Sequence, residues 1–281
     1  MDLSEFGSQQ LSLAYNYSII DASLPSGSAQ SLDPYAPIAI TPFRGPMGFL
    51  RLSYYLSTTE GGLYVPGAAR GWSVSLGLDI ADKATGSVES YYAGNFSLAG
   101  YIPMPWEGDH VLALRSSGGM SQGTFTRRGS FFVGGYNLEN TSLIDAVGNG
   151  TFNGAFVLRG YEPSAAVGNS YLLNNFEYRM PLHRPDRGLA TLPFYLRRID
   201  ANLFFDWGGA FDKLNTDDIE LFSNGAIVHS PQLLTGAGAE LWLGTSLAYF
   251  IDVQFRLGYA VGFSARRIPG GRGYFLASSP F

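Results

Sequence analysis

The chain has 281 residues, of which 46 % are hydrophobic, 15 % aromatic and only 15 % charged, with a net charge of −5. So few charges cannot cover an ordinary soluble surface, and an acidic balance without a basic cluster argues against nucleic acid as a partner. No run of about 18 apolar residues occurs, which excludes a membrane-spanning helix, and the absence of cysteine excludes disulfides and thiolate chemistry.

An apolar surface built without apolar runs is what alternating strands produce when one face meets lipid and the other an interior. The opening "MDLSEFGSQQ" has neither the basic start nor the apolar core of a signal peptide. An exported chain is therefore expected to be a mature form or an excised piece. From residue 9 the period is two. "QQLSLAYNYSI" sets Leu11, Leu13, Tyr15, Tyr17 and Ile19 against Gln10, Ser12, Ala14, Asn16 and Ser18. "GFLRLSYYLS" puts Leu50, Leu52, Tyr54 and Leu56 on one face, and "GWSVSLGLDIAD" does the same with Trp72, Val74, Leu76, Leu78 and Ile80. "SVESYYAGNFSLAGY" follows the turn "DKATG", and "DHVLALRSS" sets Leu112 and Leu114 against Val111, Ala113 and Arg115.

The second half continues the pattern. "NSYLLNNFEYRMPL" separates Leu172, Phe176, Tyr178 and Met180 from Asn175, Glu177 and Arg179. "RRIDANLFFDWGG" separates Ile199, Ala201, Leu203 and Phe205 from Asp200, Asn202, Phe204 and Asp206. "TGAGAELWLGTS" carries Glu240 on its polar face, "IDVQFRLGYAVG" alternates likewise, and "GYFLASSPF" closes the chain. The direct count is ten strands, and residues 22–45 have room for one or two more. Long polar loops near 21–46, 119–168, 212–233 and 262–272 alternate with short turns, the outer-membrane arrangement. The fold class expected is all-β, an antiparallel transmembrane β-barrel of about ten to twelve strands. Its lipid face should carry Trp72, Leu76, Leu112, Leu203, Phe205, Leu241, Phe255 and Leu257. A soluble β-sandwich would need far more Lys and Glu on its outer faces.

Several motifs carry little chemistry. "GMSQG" (119–123) matches the nucleophile-elbow pattern, but it leaves a barrel strand and enters a Thr/Arg-rich loop with no helical pattern, where that motif needs a strand-to-helix turn. "GNGTFNG" (148–154) misses the dinucleotide spacing, and His110, His183 and His229 stand singly, without metal-ligand spacing. Asp79, Glu89, Arg115, Arg179, Glu240, Asp252 and Arg256 mix both signs on the inward parity, as a solvated, cross-paired interior does. No catalytic residue, metal or cofactor is expected.

Four stretches and the chain end carry a resemblance. "FFVGG" (131–135), "VLRGY" (157–161), "GNSYLLNNFEYRMPL" (168–182), "ANLFFDWGGAF" (201–211) and a terminal Phe281 resemble the barrel of the bacterial surface-antigen superfamily. That superfamily includes the outer-membrane insertase of the BAM complex, its translocation-and-assembly relatives and the two-partner secretion transporters. The resemblance covers about residues 108–281. It implies that the loop 119–168 folds back into the barrel lumen with Arg159, Gly160 and Tyr161 at its tip. It further implies that Arg159 meets Glu177 and Asp206, forming a latch. Strand parity independently puts both carboxylates on the inner side. The resemblance also implies that Tyr274, Phe275 and Phe281 form a C-terminal aromatic signal read by the assembly machinery, although Ser278 stands where glycine is common.

Two departures bear on the domain plan. The family carries periplasmic POTRA modules before a barrel of sixteen strands. Here residues 1–281 are all expected to be barrel, the C-terminal part of the family barrel, with no POTRA domain in front. A truncated member, one part of a split barrel and a smaller closed barrel all fit. By resemblance the chain sits in the bacterial outer membrane and assists assembly or translocation of other outer-membrane proteins. Its partners are then outer-membrane lipid, periplasmic or other barrel-complex subunits, and unfolded β-barrel clients. The alternative is a passive channel or structural barrel without assembly activity, and a hydrolase using Ser121 is the third.

Overall fold

In the computed structural model, the described residues are 7–21, 44–61, 67–123, 131–136, 157–188, 194–211, 220–223, 226–229, 233–248, 251–263 and 271–278. Their strands are β1 (Ser8–Asp21), β2 (Arg44–Ser57), β3 (Glu60–Gly61), β4 (Ala68–Ala81), β5 (Tyr91–Pro103), β6 (Val111–Gly123), β7 (Phe131–Val133) and β8 (Ala166–Gly168). The chain continues with β9 (Ser170–His183), β10 (Arg187–Gly188), β11 (Phe194–Phe211), β12 (Glu220–Ser223), β13 (Ala226–His229), β14 (Leu234–Leu247), β15 (Ile251–Gly262) and β16 (Gly271–Ser278). Among the described residues no α-helix forms, and the one helical element is a 3₁₀ turn at Lys83–Thr85, capped by Asp82.

The main sheet runs β1-β2-β4-β5-β6-β9-β11-β14-β15-β16, every neighbouring pair antiparallel. These are the ten strands expected from the alternation. The order follows the chain because each strand is joined to the next by a turn or loop at one end. Connections after β1, β6 and β11 leave from one end and are long, and the turn after β14 leaves from the other and is short. The sheet is not closed: β1 and β16 are its two ends, with no ladder joining them among the described residues.

The outward face is apolar. Leu203 is 50 % exposed, Trp72 47 %, Leu76 45 % and Leu257 45 %, and none of the eight expected lipid-facing residues is buried. So large an exposed apolar surface is an aggregation liability in water and a fit to hydrocarbon in a bilayer. On the end strand the exposures rise further, to 72 % at Leu13 and 76 % at Ile19, because among the described residues only β2 flanks it. At the β5–β6 turn Trp106 Nε1 donates to Tyr178 Oη at 3.1 Å, and His110 Nδ1 lies 2.8 Å from the same hydroxyl. Such an amphipathic cluster suits a membrane–water boundary.

The core lies on the inner face and is made largely by the loop between β6 and β9. Val133, Leu158, Tyr161, Ala165 and Ala166 of the loop pack on Tyr171, Leu173, Ala210 and Leu234 of the sheet. The short β7–β8 hairpin seats that loop, pairing Phe131 with Gly168 and Val133 with Ala166. The loop expected at 119–168 begins later, because Gly119 to Gly123 continue β6. Gly119 is opposite both Asn95 and Tyr171, Met120 is likewise paired on both sides, and the β5 ladder holds the small residues extended as far as Gly123. The space left for extra strands at 22–45 is described only from Arg44, where β2 starts; 22–43, like Phe281, lies outside the described residues.

Candidate functional site

Register brings the inner-face charges together. Across β9, β11 and β14 one row runs Glu177, Phe204, Gly238, and the row above it Asn175, Asp206, Gly236. One row below, Asn202 is opposite Glu240. Phe204 stands among the carboxylates as an apolar platform, and the Arg159 guanidinium lies over its ring at 3.6 Å from the centroid. Stacking on an aromatic face while bonding in its own plane is what a planar guanidinium does well.

The guanidinium reaches three carboxylates from three strands. Nε donates to Asp206 Oδ2 at 2.7 Å and Nη2 to Asp206 Oδ1 at 2.7 Å, a two-pronged contact. Nη1 donates to Glu177 Oε1 at 2.9 Å and to Glu240 Oε1 at 3.3 Å. The Arg159 backbone N–H adds a bond to Asp206 Oδ2 at 3.2 Å. The Arg159 side chain is 4 % exposed, and those of Asp206 and Glu240 are fully buried. Burial opposes the Arg159 charge, but Asp206 and Glu177 outweigh it and hold the group protonated well above its usual range.

Two guanidiniums face three carboxylates here, since Arg179 Nη2 also donates to Glu177 Oε2 at 2.8 Å. Neutral donors make up the difference. Asn175 Nδ2 donates to Asp206 at 2.9 Å. Glu240 Oε2 accepts from Asn202 Nδ2 at 3.0 Å and from Trp242 Nε1 at 2.6 Å. A buried charge is tolerated when its lone pairs are filled in this way.

The tip backbone is shaped to reach the cluster. Gly160 has φ 95°, a left-handed value that disfavours any side chain. Leu158 N–H donates to Gly134 O at 2.7 Å and Gly135 N–H to Glu162 O at 2.9 Å, closing the tip on the "FFVGG" turn. Tyr161 Oη donates to Thr235 O at 2.6 Å, pinning the tip to β14. The close approach depends on Gly236, where an added Cβ would lie 2.2 Å from the Arg159 carbonyl oxygen. Gly236→Val is therefore expected to lift the tip without removing a charge, at a cost of about 1–3 kcal/mol in denaturant unfolding. Unchanged stability and unchanged protease resistance of the loop would show that the tip does not press on β14.

Of the residues singled out in the sequence, Arg159, Gly160, Tyr161, Glu177 and Asp206 thus lie together. Glu240 is the third carboxylate, which the sequence flagged only by its inward parity. Tyr274 and Phe275 part company: Tyr274 turns inward to Glu240, whereas Phe275 is 49 % exposed outside, its ring 5.8 Å from that of Phe255. Ser121 Oγ donates to Asn169 O at 3.2 Å from within β6. On the adjacent strand its pairing partner is Ala93. Ser121→Ala should leave thermal unfolding unchanged, and wild-type protein should take up no fluorophosphonate label at this serine. Labelling lost on that substitution would restore the hydrolase reading.

Other inner-face charges pair across strands: Arg51 with Asp79 through Nε at 2.7 Å, and Arg197 with Asp252 through Nη1 at 3.0 Å. Towards β1 the inner face carries Ser53, Ser75, Gly77, Asn95 and Ser97, small residues of which none is buried.

Comparison with known proteins adds one positive finding. The family profile described as the Omp85 superfamily domain matches residues 9–266. No curated protein matches the chain.

Proposed function

This chain belongs to the Omp85 superfamily, one of outer-membrane insertases and translocases, and we propose that it assists the assembly or translocation of other outer-membrane proteins. The family match across 9–266 carries this reading, and the apolar outward face supports a bilayer as its medium. Arg159 acts as a latch, holding the loop against the inner wall through Asp206, Glu177 and Glu240. An incoming strand would pair with an exposed sheet edge, where backbone N–H and C=O groups are unpartnered. Outer-membrane lipid, periplasmic or barrel-complex subunits and unfolded β-barrel clients are the partners this mechanism requires.

The test is insertion of a small unfolded outer-membrane barrel into phospholipid vesicles, followed by its gel shift on heating. Vesicles carrying the purified chain should insert the client faster than vesicles carrying an unrelated barrel of equal mass. Equal rates would contradict assembly activity. The small polar inner face of β2, β4 and β5 favours a second reading, a passive channel. That reading predicts steady conductance in a planar bilayer together with equal insertion rates.

A further inference from the structure

The last strand reaches into the cluster that holds the loop. Among the described residues β16 has a single strand neighbour, β15, and register places Tyr274 opposite Gly258. From there Tyr274 Oη donates to Glu240 Oε1 at 2.5 Å, the same oxygen that accepts from Arg159 Nη1. One turn of the ladder away, Arg272 Nη2 donates to Glu162 of the loop. A third contact joins the ring of Tyr136, also from the loop, to that of Tyr274 with centroids 5.0 Å apart. Between loop and strand lies a cavity of about 170 Å³ lined by Tyr136, Arg159, Gly160, Tyr161, Arg272 and Tyr274. The joint is therefore a few discrete side-chain contacts around a void, not continuous packing.

We propose that Tyr274 is a positioning residue that couples the last strand to the loop: seating of Arg159 holds β16 on β15, and release of Arg159 loosens β16. The coupling runs through Glu240. Its side chain is fully buried, and Arg159 is its cationic partner. Without that cation a buried carboxylate must turn towards water or lose its charge, since an uncompensated buried charge is costly. Either change breaks the shared geometry that holds Tyr274, and the void beside it gives the ring room to move. Loosening of β16 then opens the edge to which another strand could pair. The inference rests on the latch reading above, which supplies the two loop positions.

Hydrogen exchange on the full chain in lipid nanodiscs tests it with Arg159→Ala and Tyr274→Phe. In Arg159→Ala, amides of 271–277 should exchange about tenfold faster, the shift expected from losing one hydrogen bond to a charged group. Amides of β4 and β5 should not change. Tyr274→Phe keeps the ring and loses only the hydroxyl, so it should fold, and it should speed exchange in 157–163, an element that Tyr274 does not belong to. If Arg159→Ala frees the loop but leaves 271–277 as protected as before, the coupling is wrong and the latch stands. Should the loop itself stay protected in that variant, the latch fails and the coupling with it. Where Arg159→Ala does not fold, unchanged exchange at 157–163 in Tyr274→Phe overturns the proposal by itself.

Discussion

Replacing Arg159 with alanine is expected to lower the unfolding free energy by about 2–4 kcal/mol, slightly less than for a fully buried pair. The residue is one cation shared by Asp206, Glu177 and Glu240, which come from β11, β9 and β14. Its loss leaves three acids on neighbouring strands, of which Glu177 keeps its bond to Arg179. Like charges so close repel, and the protein's remedy is to protonate one or to let water in. Both routes disturb the seat of the loop, because Asp206 bonds both the Arg159 guanidinium and its backbone N–H, and the tip then keeps only its apolar packing, the Tyr161 bond and contacts outside the cluster. Added protease should then cut the loop faster. Arg159→Lys should restore little, since an ammonium cannot bond both oxygens of Asp206 in one plane while lying flat on Phe204. A variant as heat-stable and as protease-resistant as the parent would remove the latch from the account.

Leu203→Arg should be comparably damaging for the opposite reason, with a cost of about 2–4 kcal/mol for a cation near mid-membrane. Leu203 sits midway along β11 on the outward face, between Tyr178 of β9 and Ala239 of β14. Nothing charged faces that side along the row, so an arginine there must either remain in hydrocarbon or bend past Tyr178 towards the boundary cluster of Trp106 and His110. Asn95→Arg, on the inner face of β5, is the control and should be close to neutral, because that face is polar and open. The measurement is denaturant unfolding in lipid vesicles. If the two variants are equally stable, the outward face does not meet lipid.

The period-two alternation made the ten strands and their faces legible, because every long strand here has one apolar and one polar side. Parity also placed Glu177 and Asp206 on one wall. Glu240 was legible as inward but not as a partner of Arg159. It lies two strands from Glu177, and only the register Asn202 to Glu240 brings it into reach. The extension of β6 through Gly123 was hidden because "GGMSQG" has almost no bulky residue to show alternation, and its extended form is imposed by the β9 ladder as far as Met120 and by the β5 ladder to Gly123. Tyr274 and Phe275 look alike as a pair of aromatics. Adjacent positions on a strand point to opposite faces, so one joins the interior cluster and the other the outward surface. The β7–β8 hairpin, three residues on each side, is too short to announce itself by pattern.

The latch requires that Arg159 and Asp206 act on one another across 47 positions of chain. A double-mutant cycle measures that directly, using Arg159→Ala, Asp206→Asn and the pair, each unfolded by denaturant in the same lipid. Strong non-additivity is expected, with the double variant losing less than the sum of the singles by about 1–3 kcal/mol, as for residues in one ion-pair network. Additive losses, within about 0.5 kcal/mol as found for independent sites, would contradict it.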